Sequence, residues 1–169
     1  MSNTIFQLFP GVQNAIERIE ARPARATFTA PLVGGKFVFD FTNQIFSLAQ
    51  NQMGVVAGVS LAANIDQLAF SNAIDPTVNQ GCFNLALFRN ANKTMVNKSP
   101  FFFSSFGQGS AFSALMFATG TNNGREDFNL RLQGSLLQTP ALVSAGVSSV
   151  SIVALLDFYQ CKDFNGGKA

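Results

Sequence analysis

The stretch Phe128-Asn129-Leu130-Arg131-Leu132-Gln133-Gly134-Ser135-Leu136 decides the fold. Phe128, Leu130, Leu132, Gly134 and Leu136 fall on one face, and Asn129, Arg131, Gln133 and Ser135 on the other. A period of two over nine residues is the pattern of a half-buried strand, because successive side chains of an extended chain point to opposite sides. Downstream, Val150, Ile152, Ala154, Leu156 and Phe158 repeat it against Ser149, Ser151, Val153, Leu155 and Asp157. Upstream, Gly120-Thr121-Asn122-Asn123-Gly124 is turn chemistry.

Towards the N-terminus the same alternation recurs between turn signals. Phe112, Ala114, Met116 and Ala118 share a face, and Phe101-Phe102-Phe103 begins a strand that Gly107-Gln108-Gly109 breaks. Phe83, Leu85 and Leu87 alternate with Asn84, Ala86 and Phe88 up to Arg89-Asn90, and Asn90 to Asn97 reads as a hairpin turn. Asn72 to Gly81, with Asp75-Pro76, is turn-rich. Ile65 to Ser71 alternates and is expected to be a strand, as is Val55 to Ala62, which Asn64 ends. Phe37, Phe39 and Phe41 alternate with Lys36, Val38, Asp40 and Thr42.

These are about eight strands, with no strong helix between them beyond residue 25. That argues for an antiparallel sandwich or barrel. An all-β, eight-stranded antiparallel jelly-roll sandwich matches the strand count and the 169 residues. Nineteen Phe with one Tyr and no Trp suit its core, since Phe brings large buried area without a polar tip needing a partner.

Before Pro23 the period is helical. Val12, Ala15, Ile16 and Ile19 form a stripe, with Pro10-Gly11 at its start. The expected organisation is an N-terminal arm with a short amphipathic helix over 1–25, one sandwich over 26–164, and a loose tail over 165–169. Such a short helix is marginal alone and must dock on something. Phe6, Phe9, Val12, Ile16 and Ile19 are the candidate contacts, either with the chain's own domain or with a neighbouring subunit or membrane surface.

Only 12% of the residues are charged, against a hydrophobic share of 47%; an ordinary domain is roughly one quarter charged. A surface of Asn, Gln, Ser, Thr and Ala opposes association weakly, which suits a subunit covered by its neighbours. Net charge is +2 and the cations are scattered, so specific nucleic-acid binding has little support. The one mild cluster, Arg18, Arg22 and Arg25, is partly balanced by Glu17 and Glu20. No stretch reaches the ~20 apolar residues of a spanning helix, and the first residues do not read as a secretory signal.

With no His, a Ser-His-Asp triad, a Cys-His pair and an imidazole metal site are all excluded. Cys82 and Cys161 lie far apart in sequence; they either pair through the fold or pack as reduced, small hydrophobes. Nine carboxylates remain, and paired-carboxylate catalysis needs only two. Glu126-Asp127 beside Arg125 reads as a solvated turn tip, and Asp40 and Asp157 as strand surface. The expectation is a non-enzyme without metal or cofactor.

Several segments carry a resemblance. They are Phe39-Asp40-Phe41-Thr42-Asn43-Gln44-Ile45, Val55 to Ala63, Gln80-Gly81-Cys82-Phe83, and Ser99-Pro100-Phe101-Phe102-Phe103-Ser104-Ser105. Over residues 36 to 160 the chain is similar to single jelly-roll shell proteins of tailless icosahedral bacterial viruses. It departs from their pattern after Ile65, keeping Asp66 without the expected flanking Tyr and Asn. The resemblance implies a vertex (penton) or minor capsid protein without catalytic residues. Its expected partners are itself, as a homopentamer, other capsid proteins and an internal membrane. The expected location is the virion, after synthesis in the host cytoplasm. The alternative reading is a β-sandwich that binds carbohydrate or acts as an adhesin module.

Overall fold

A computed structural model of the chain describes residues 19–49, 52–90, 93–96, 100–106, 116–119 and 124–161. Nine strands occupy most of it: β1 (Ile19–Ala21), β2 (Ala24–Val33), β3 (Lys36–Leu48), β4 (Met53–Ala63), β5 (Phe83–Arg89), β6 (Phe101–Phe103), β7 (Met116–Thr119), β8 (Glu126–Leu137) and β9 (Ser149–Cys161). All pairings are antiparallel, in the order β6-β5-β8-β3-β2-β9-β4-β7. β1 continues the β2 edge: Ile19 faces Cys161 and Ala24 faces Leu156, in one unbroken register along β9.

This path bends at a single hairpin. β2 and β3 share only Leu32–Phe37 and Val33–Lys36. The two-residue loop Gly34-Gly35 takes φ of 59° and 77°, a left-handed pair that glycine adopts freely and that matches strand twist. On either side lie four strands, β2-β9-β4-β7 and β3-β8-β5-β6, joined in chain order by alternation between the two sheets except for β5 and β6, which are neighbours in one sheet. That is the connectivity of a jelly roll.

The core lies between these sheets. Phe28, Phe37, Phe39, Phe83 and Phe128 are fully buried with Leu85, Leu130, Leu132, Val150 and Ile152. Phe46 of β3 stacks on Phe158 of β9 with centroids 4.2 Å apart, a direct contact across the sandwich. Fully burying each such ring contributes about 1.5–3 kcal/mol. The alternation read in β8 and β9 is realised: Phe128, Leu130, Leu132, Gly134 and Leu136, and Val150, Ile152, Ala154, Leu156 and Phe158, are all buried.

Four expectations are corrected. Residues 65–71 are not a strand: Gln67–Ala73 is a helix, α1. Asp66 caps it, its carboxylate accepting from the Ala69 amide at 2.8 Å. Phe70 and Ala73, three apart, face inward, and Phe70 closes that end of the core against Phe83 and Phe106. A second helix, α2 (Pro140–Ser144), separates β8 from β9; Thr139 caps it and Pro140 begins it.

Third, β2 was not among the expected strands, and the boundary between 25 and 26 falls inside it. Fourth, Ile19 opens strand β1 and is not the last member of a helical stripe, because it pairs with Cys161. Phe6, Phe9, Val12 and Ile16 lie outside the described residues, as does the tail 165–169. No helix among the described residues is long and apolar enough to cross a membrane.

Candidate functional site: the seam between the sheets

The hairpin closes one end of the β2–β3 seam, and the other end stays open. Along β2 the even-numbered backbone groups bond to β9, as the Arg22 amide on the Phe158 carbonyl (2.8 Å) and the Leu32 amide on the Ser148 carbonyl (2.9 Å) establish. In an antiparallel ladder the odd-numbered groups therefore point the other way, into the seam. Asn43 Nδ2 donates to one of them, the Thr27 carbonyl, at 2.9 Å. Pro23 and Pro31 sit at odd positions, where a missing N–H costs no β9 bond.

β3 then leaves β2. Its register with β8 shifts between Gln44 and Phe46, and such a bulge bends the strand. Consecutive Ile45 and Phe46 are both left half-buried. Between the parted strands lies a cleft of about 570 Å³. Its floor is Ala24, Ile45, Phe46 and Phe158, and Gln52 and Gln160 flank it. Its rim carries three guanidinium groups, Arg22, Arg25 and Arg125.

The charges there are partly matched. Arg22 Nε donates to Glu20 at 2.9 Å, and Arg125 Nε to Asp127 at 2.9 Å. Hydrogen bonds from Ser47 and then Arg125 hold the Asp127 carboxyl below the usual carboxylate range. Glu126 is not part of a solvated tip. It is the first residue of β8, faces Leu48 across the ladder, and is only 3% exposed. Residues from three separate turns thus meet at this end, and that juxtaposition has no signature in local sequence. Arg22 and Arg25 are legible in the sequence as part of a mild cluster, but nothing there joins Arg125 to them.

At the opposite end, Asp75 is buried with 2% exposure. It accepts from Lys36 Nζ at 2.8 Å and from the Thr77 amide and hydroxyl at 3.0 and 2.6 Å. Those bonds, Lys36 first, lower its pKa to about 2. The network straps the loop after α1 onto β3, and its geometry is structural. On the outer face of β3 and β8, Arg131 bonds to Asp40 at 2.9 Å, an exposed pair of small energetic weight.

Cys82 is a free, half-buried thiol. Among the described residues, no three His, Cys, Asp or Glu side chains are grouped so as to hold a metal ion.

No family model and no curated protein sequence matches the chain. Among solved structures, it is weakly similar to chains from two virus structures. One match is a chain from the structure of infectious bursal disease virus Gt strain, with TM-score 0.31 and 9% identity over 85% of this chain. Another is from the Gx strain of the same virus, with TM-score 0.29, 9% identity and 85% coverage. This chain spans 41% and 39% of the length of those two. Likeness at this level carries no weight for function, and the fold assignment rests on the strand order.

Proposed function

We propose that the chain is a virion structural protein, a vertex (penton) or minor capsid protein of an icosahedral phage shell. It acts by assembling with itself and by contacting major capsid proteins. The observation that carries this reading is the outer flank of the β2-β9-β4 sheet. Its cross-strand rows are Thr27, Val153 and Ala62, then Arg25, Leu155 and Ser60. Thr29 and Ser151 form a further pair, bonded through their hydroxyls at 2.8 Å.

Beyond Arg25 and Asp157, towards the hairpin, those rows carry no charge, and Leu155 beside them stands 46% exposed. A sheet face of small residues that is uncharged beyond Arg25 suits side-to-side contact of identical subunits in a closed ring. The low charged fraction of the whole chain supports the same reading.

The mass of the native protein by light scattering, over a concentration series, tests it. A discrete ring, with five subunits expected, that falls to monomer in a Val153→Glu/Leu155→Glu variant supports the proposal. A monomer at every concentration, unable to enter a shell with major capsid proteins, overturns it. The carbohydrate or adhesin reading then takes its place, with the exposed Phe102 ring on β6 as its first contact, and a glycan array as its test.

A further inference from the structure

We infer that the open end of the seam is a binding cleft for an extended, acidic peptide segment of a partner protein. Three independent features converge on it. The first is backbone: β2 offers the Arg25 amide and carbonyl on its open side, with no strand partner among the described residues beyond the two hairpin pairs. An added strand takes up such groups in a sheet-edge pairing. Pro23 on one side and the Asn43–Thr27 bond on the other limit that pairing to a short stretch around Arg25.

The second feature is the floor. Phe46 stacks on both Phe128 (4.8 Å) and Phe158 (4.2 Å), yet stays half-buried, so the edge of an aromatic stack faces the cleft. An extended segment points alternate side chains one way, and an apolar residue at every second position would lie on this floor.

The third feature is charge. The bonds of Arg22 and Arg125 to Glu20 and Asp127 use Nε. Their η nitrogens have no bond among the described residues, and Arg25 has no acidic partner there. Guanidinium groups with open η nitrogens grip carboxylates side-on. Both existing pairs are exposed and weak, so an incoming carboxylate can join or replace them.

An extended segment with acidic residues alternating with apolar ones satisfies backbone, floor and rim together. A free phosphate satisfies the rim alone. Binding is expected of the isolated chain whether or not rings form, so this inference stands apart from the shell reading.

The experiment is fluorescence anisotropy on the full chain. The probes are two short fluorescein-labelled peptides, one alternating Val with Glu and the other Val with Gln. The Val-Glu peptide is expected to bind about tenfold more tightly, and to weaken as salt rises. An Arg25→Gln/Arg125→Gln variant should remove that preference, and an Arg131→Gln variant on the outer face of β8 should keep it. Should the double variant fail to fold, the two peptides on the native chain decide, together with whether the Arg25 amide resonance shifts on binding.

Equal affinity for the two peptides, no binding of either, or displacement of Val-Glu by equimolar inorganic phosphate overturns the inference. So does capture of anionic phospholipid vesicles without capture of peptide.

Discussion

β2 and β3 are paired at one end of the sandwich and parted at the other, and the two ends are built from different residues. The closed end has the Gly34-Gly35 hairpin, α1, α2 and the fully buried Phe37, Phe70 and Phe83. Its cation Lys36 and its acid Asp75 neutralise each other. The open end has the β3 bulge, the half-buried Phe46, and the charges Glu20, Arg22, Arg25, Arg125 and Asp127. A sandwich core needs both sheets in contact, but it needs them closed at one end only. The other end can keep its strand edge and aromatic floor accessible while stability is supplied elsewhere.

The sharpest way to break this comparison is truncation of one Phe at each end. Phe83→Ala should cost about 3–5 kcal/mol, the range for a fully buried ring that leaves a cavity. Phe46→Ala should cost roughly half as much, because its ring is only partly buried beside the cleft and water can enter the space. Urea denaturation of the two variants reads the difference. Equal losses would mean that the seam is closed in solution.

A glycine lies beneath a Phe ring at each end, and adding a methyl group tests the room available. A Cβ on Gly134 would overlap the Phe83 ring, and one on Gly54 would overlap the Phe158 ring. Phe83 is locked among Phe39, Phe70 and Phe103, so Gly134→Ala should cost about 1–3 kcal/mol through overpacking. Phe158 is itself buried, but the Phe46 ring it stacks on is only half-buried at the cleft and can shift with it, so Gly54→Ala should cost less, again by urea midpoint. A reversed order would contradict the open floor.

The same contrast explains what was legible in the sequence. β8 and β9 alternate large apolar residues with polar ones, and their faces could be read directly. β2 points Ala24, Ala26 and Ala30 inward beside Phe28. Three methyl groups are a faint hydrophobic signal, and Pro31 argues against a strand to anyone who does not know that it lies on an open edge.

Residues 65–71 alternate well enough to imitate a strand, so the strand count comes out near the truth with β1 and β2 missed and one false. The Asp66 cap, and the Thr139-Pro140 start of α2, were helix signals that the alternation masked. The cleft depends on a bulge, a strand divergence and the meeting of Arg22 and Arg25 with the distant Arg125, and no local pattern encodes it.

The Asp66 cap gives a smaller effect. Asp66→Ala removes the bond to the Ala69 amide and should cost about 1 kcal/mol, seen as a lower melting temperature. Since α1 places Phe70 over the closed end, ring contacts there should loosen while the open end is unchanged. A loss spread over both ends in amide exchange would show that the two are one cooperative unit.

Smaller still is the contribution of the Lys36–Asp75 pair, because Lys36 remains half-exposed and water screens it. Its signature is its dependence on pH. The folded-state pKa of Asp75 lies at about 2, below its ordinary value of 3.8. A depressed carboxylate binds fewer protons folded than unfolded, so its stabilisation is fully present above the ordinary value and is lost as pH falls towards 2. Asp75→Asn keeps an oxygen for Thr77 but has no charge to lose. The native chain should therefore be the more stable at neutral pH, and the gap should narrow between pH 3.8 and about 2, measured as unfolding midpoints across that window. A gap that stays constant down to pH 2 would remove Lys36 as the cause, and would leave the bonds from Thr77 and the packing of the loop after α1 to hold the closed end.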